Sequence, residues 1–117
     1  MKTAANSRLA SSSTIQGQNI YNNAGEKLGK VEDVMLDLQQ GKIAYVVLSF
    51  GGFLGLGDKL FAVPMQALRA DGENECFHMD ISKEKLDNAP GFDKNSWPST
   101  YDEKFVSTVH THYGIPR

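Results

Sequence analysis

Cysteine is nearly absent: Cys76 is the one thiol in 117 residues. An intramolecular disulfide, a redox pair and a four-thiolate metal site are therefore excluded. No stretch approaches the ~18 apolar residues of a membrane-spanning helix. Met1 to Thr14 is rich in Ser and Ala and lacks the apolar core of a secretory signal, which leads to the expectation of a cytoplasmic protein. Charge of one sign is also missing, since 12 basic side chains face 14 acidic ones for a net −2. A general nucleic-acid-coating role does not fit that balance, and no basic surface interleaved with aromatics emerges. Catalytic signatures are absent as well. There is no G-x-S-x-G elbow and no ordered G-x-G-x-x-G, and Gly52 and Gly57 have P-loop spacing but Asp58 holds the lysine position.

What is present is an ordinary globular composition, with 40% hydrophobic and 22% charged residues. At this length about two-thirds of the chain's surface is buried on folding, enough for one core without staples. Residues 1–13 read as a flexible arm, residues 14–81 as a β domain, and residues 82–117 as a helical C-terminal extension. The C-terminal third, residues 71–117, is acidic, with nine acids against five bases.

Strands are expected over Thr14 to Tyr21, Leu28 to Leu38, Ile43 to Phe50, Lys59 to Val63 and Glu75 to Ile81, joined by Gly- and Asn-bearing turns. Val34, Leu36 and Leu38 share one face, and Val31 falls out of that register, which implies a bulge near Glu32-Asp33. Ile43 to Phe50 is apolar on both faces, so it is either covered twice or lies at an interface. The glycine-rich loop Gly51 to Asp58 follows it. Ser82 starts a short helix, Lys83 to Asn88. Thr100 and Glu103 fit a capping box that opens a final helix, with Tyr101, Phe105, Val109 and His112 on one stripe and Gly114 at its end.

The run NIYNNAGEKLGKVEDVMLDLQQGKIAYVVLSFGG, then DKLFAVP, resembles the PRC-barrel domain, the module of the cytoplasmic part of the photosynthetic reaction-centre H subunit. It is also similar to the C-terminal domain of the ribosome maturation factors. LDNAPGFDKNSWPSTYDEKF and the closing HYG extend the resemblance to stand-alone bacterial members, over about residues 15–115. Met65 stands where a tryptophan is expected and His112 where a second tyrosine is. The resemblance implies a mainly β fold, a small PRC-type barrel of five to six short strands with a helical C-terminal extension. It also implies binding to proteins or scaffolding of assemblies, with peripheral association with a membrane complex among its forms, and it transfers no catalytic residue. Ribosome maturation fits less well, because those relatives carry a separate N-terminal domain.

No catalytic, cofactor-binding or metal-binding residue is expected. His110 and His112 point apart on a helix, so they cannot share an ion. Cys76 and His78 lie ~6.5 Å apart along a strand, too far to act as a pair. Glu32, Asp33 and Asp37 read as solvated strand-edge acids. The expected function is a non-enzymatic, self-associating interaction module with protein partners, no nucleic acid and no cofactor. Its expected interface is Tyr45, Val47, Phe50, Phe53, Leu54 and Leu56, and the tail docks through Trp97, Tyr101, Phe105 and Val109. The competing expectation is a ligand-binding or catalytic barrel mouth near Asp33, Asp58 and His78.

Overall fold

The computed structural model describes residues 9–49, 59–82, 85, 91–93 and 103–116. Ser11 caps a short helix α1 (Ser12–Ile15), its hydroxyl accepting from the Thr14 N–H at 3.1 Å. The serine-rich lead-in thus overrides the β preference of Thr14 and Ile15, and the first strand starts later than the sequence suggests. The strands are β1 (Asn19–Tyr21), β2 (Lys27–Asp37), β3 (Lys42–Ser49), β4 (Lys59–Val63), β5 (Arg69–Asp71), β6 (Cys76–His78) and β7 (Gly91–Asp93). A 3-10 turn (Met65–Ala67) follows Pro64, and α2 (Glu103–Tyr113) closes the described chain.

All seven strands form one mixed sheet in the order β5-β6-β1-β2-β3-β4-β7, with β1 and β6 parallel. Its inner face holds Ile20, Leu28, Val31, Val46, Leu48, Phe61, Val63 and Phe77 in one cluster, so the sheet curls around a core. Among the described residues no ladder joins β5 to β7, so the curl does not close into a hydrogen-bonded barrel. β5 and β7 were not anticipated, and β7 falls between the two helices expected in the C-terminal extension.

Two hairpin turns set the geometry. Asn22 is buried, and its Oδ1 accepts the N–H groups of Ala24 and Glu26 at 3.0 and 2.9 Å, while Gly25 supplies a φ of 83°. At the other end Asp37 accepts the N–H groups of Gln39 and Gln40, both at 3.1 Å. These are Asx turns, in which a side chain replaces backbone partners the tight loop lacks.

Bulges decide which face each side chain meets. The β2–β3 ladder passes from Val31↔Leu48 to Asp33↔Val47, so Glu32 is the extra residue, as the broken register of Val31 implies. A second shift, from Met35↔Tyr45 to Leu36↔Ile43, leaves Ala44 extra on β3. Ile43 therefore packs with the inner core while Ala44 and Tyr45 both join the outer cluster, which corrects the strict alternation expected for this strand. Leu36 and Leu38 are 57% and 87% exposed, whereas Val34 packs against the inner core.

α2 lies across the outer face. Val106 and Val109 are buried there against Ala44, Tyr45, Val47, Leu60 and Ala62, and Phe105 meets Tyr45 edge-on with centroids 5.4 Å apart. Gly114, at φ 67°, ends the helix, with Gly114 and Ile115 donating to the carbonyls of Thr111 and His110 at 3.1 and 3.0 Å. The second apolar face of β3 is thus covered by the chain's own helix.

Candidate functional site

β5 and β6 form a hairpin whose turn is organised by Asp71. Its Oδ1 accepts the Asn74 N–H at 3.1 Å, and its Oδ2 accepts the Asn74 side-chain amide at 2.9 Å. Glu75 adopts φ 52° and returns the chain so that Cys76 stands directly opposite Asp71. Directly opposed residues share a face, and so do residues two apart on one strand, so His78 joins them.

The three side-chain tips converge. His78 Nε2 lies 3.0 Å from Asp71 Oδ2, and Cys76 Sγ lies 3.8 Å from that nitrogen and 3.9 Å from that oxygen. Cys76 is buried, whereas His78 and Asp71 are 25% and 21% exposed. This corrects the expectation that Cys76 and His78 stay apart: both lean toward the cross-strand carboxylate. The signal in the sequence was the spacing of Asp71, a Gly- and Asn-bearing turn, and Cys-x-His. It stayed silent because β5 was not recognised as a strand.

The electrostatics are specific. The Asn74 amide, then the His78 contact and the Asn74 N–H, hold the Asp71 carboxyl well below the usual carboxylate range. Burial, followed by the nearby Asp71 charge, pushes the Cys76 thiol up. An activated cysteine nucleophile needs the opposite shift. It also needs an acid on the far ring nitrogen of its histidine, whereas Asp71 occupies the same Nε2 that faces the thiol. As donors, however, the sulfur, imidazole nitrogen and carboxylate oxygen all lie within reach of one ion, and they are the group of three such residues among those described. Beside them a groove of about 240 Å³ is lined by Leu9, Ile15, Met65, Asp71, Cys76 and Phe77.

The remaining candidates are dispersed. Tyr45 and Val47 are buried beneath α2, so the free surface expected there is not present. Phe105 and Val109 pack on that same face. Phe50, Phe53, Leu54, Leu56, Asp58, Trp97 and Tyr101 lie outside the described residues. Asp33 spends its Oδ1 on the Gln16 side-chain amide at 3.0 Å and the Val34 N–H at 2.8 Å. His110 is buried and its Nδ1–H donates to the Ile115 carbonyl at 3.2 Å, a helix-end role.

The PRC-barrel domain family model matches residues 9–86, and the chain belongs to that family. A search of curated proteins finds no match. The matched span includes α1, β1 to β6 and the whole Asp71–Cys76–His78 hairpin.

Proposed function

We propose that the chain is a non-enzymatic protein-interaction module that self-associates through the tip of the β2–β3 hairpin. PRC-barrel domains often serve as protein-interaction modules, which makes this class the natural one. The observation that carries the choice of surface is the exposure of Leu36 and Leu38, at 57% and 87%, on one hairpin. Both line a groove of about 280 Å³ together with Ile43 and Lys42. With the outer face of β3 taken by α2, this hairpin carries two of the three exposed large hydrophobic side chains among the described residues, the third being Leu9 ahead of α1.

Burying a Leu side chain contributes about 1.5–3 kcal/mol, so the exposed fractions of this pair contribute about 2–4 kcal/mol per copy. A symmetric contact doubles that gain, against an association cost of at least about 4 kcal/mol. The net gain is at most about 4 kcal/mol, so the self-association is weak, millimolar at its tightest. Its chemistry needs no cofactor and no nucleic acid. No described helix is long and apolar enough to cross a membrane. A cytoplasmic setting, where an unpaired buried thiol stays reduced, suits the module.

Sedimentation equilibrium tests this reading up to about millimolar protein. The wild-type chain is expected to exceed 12.9 kDa with rising concentration. Leu36→Ser combined with Leu38→Ser should hold at the monomer mass with an unchanged circular dichroism spectrum. A wild-type chain that stays monomeric throughout, or a double variant that associates equally well, overturns it.

A further inference from the structure

We propose that Asp71, Cys76 and His78 form a three-ligand site for zinc(II), with the fourth coordination position open toward the groove beside α1. The site is independent of the hairpin-tip contact and lies on different strands.

The geometry carries the proposal. Zn–S, Zn–N and Zn–O bonds of about 2.3, 2.0–2.1 and 2.0–2.2 Å at tetrahedral angles place the ligand atoms about 3.4–3.6 Å apart. The observed separations are 3.0, 3.8 and 3.9 Å. Shifts of about 0.4 Å, a small side-chain rotation, bring all three onto one ion. The turn itself does not require this convergence. Asp71 and Asn74 make the turn's hydrogen bonds by themselves, yet both the thiol and the imidazole approach the same carboxylate oxygen.

The donor set selects the ion. Sulfur, imidazole nitrogen and a single carboxylate oxygen suit zinc, whereas magnesium and calcium take six or more oxygens. Three protein ligands with an open fourth position is the arrangement that admits water or an exogenous donor. Coordination replaces the Cys76 S–H bond with S–Zn and releases that proton to solvent. The Nε2–H···Asp71 hydrogen bond of His78 breaks as its proton passes through solvent to Nδ1, and the freed Nε2 lone pair goes to the ion. The thiolate and the carboxylate together neutralise the divalent charge, which a part-buried site requires. The Asn74 amide, donating to Asp71 Oδ2 at 2.9 Å, then fixes the carboxylate ligand from behind. Leu9, Ile15, Met65 and Phe77 make the groove apolar, so an exogenous ligand there is small and soft or apolar-tailed.

Cobalt(II) titration of the full chain tests the site, because a thiolate-bound tetrahedral cobalt gives both a near-ultraviolet charge-transfer band and strong visible bands. The wild-type chain is expected to show them at one ion per chain, with zinc bleaching both. Cys76→Ser should lose the charge-transfer band, and His78→Gln and Asp71→Asn should each weaken binding at least about tenfold. Circular dichroism confirms that each variant is folded. Zinc should also raise the melting temperature of the wild type and not that of Cys76→Ser. The proposal is overturned by a wild-type chain without charge transfer up to about millimolar cobalt. It is equally overturned if His78→Gln and Asp71→Asn, both folded, bind as tightly as wild type.

Discussion

Val109→Ala probes the contact on which the arrangement of the C-terminal helix depends. Val109 is fully buried on α2, against a surface built by Ala44, Tyr45, Val47, Leu60 and Ala62. Two methyl groups are lost, about 1.6 kcal/mol at about 0.8 each. A helix lying on a pleated sheet collapses only partly around the gap, which adds about 1 kcal/mol. Alanine's higher helix propensity returns up to about 0.7 kcal/mol. The net destabilisation is about 2 kcal/mol, a drop of about 8 °C in Tm for a domain of this size. Thr108→Ala is the matched control on the exposed side. Its hydroxyl donates to the Lys104 carbonyl at 2.9 Å, and its loss should stay within about 0.5 kcal/mol. Thermal unfolding followed by circular dichroism compares the two. If Val109→Ala and Thr108→Ala melt within about 2 °C of each other, the helix does not dock on the sheet as described.

Asn22→Ala removes the acceptor for two backbone N–H groups and a 2.8 Å donation to Glu26, and should cost about 1–3 kcal/mol in urea unfolding. Tyr113 has a buried hydroxyl with no hydrogen-bond partner among the described residues, and burial raises its ionisation above the ordinary phenol value. The folded state therefore holds this proton more tightly than the unfolded chain does. Its contribution is complete below about pH 10 and is lost as pH rises beyond that. Tyr113→Phe should be neutral or mildly stabilising near pH 7, and should flatten the alkaline fall in stability measured by urea titrations across pH.

Much of the sheet is legible in the sequence, for identifiable reasons. β2, β3 and β4 are long or strongly apolar, and their turns carry Asn, Gly or Pro at positions where the backbone needs them. The bulge at Glu32 shows because Val31 breaks a visible alternation. The bulge at Ala44 does not show, since every residue from Ile43 to Leu48 is apolar and either phase reads alike. β5 and β7 are three residues each, too short for a period to register, and they acquire their structure from the strands beside them. The zinc-site candidate was hidden for that reason: its carboxylate lies on an unrecognised strand. The apolar second face of β3 was visible, but composition alone cannot distinguish a partner chain from the chain's own helix. Packing of Val106 and Val109 decides that in favour of the helix.

Isotope-filtered nuclear Overhauser spectroscopy on a mixture of labelled and unlabelled chains is the most direct test of this arrangement. Cross-peaks from the Val109 methyls to the Leu60 and Ala62 methyls should appear in the uniformly labelled sample and vanish from the intermolecular-filtered spectrum. Contacts from Leu36 or Leu38 should survive the filter at high concentration. Val109 cross-peaks that persist through the filter would contradict the account, because α2 would then cover the sheet of a neighbouring copy.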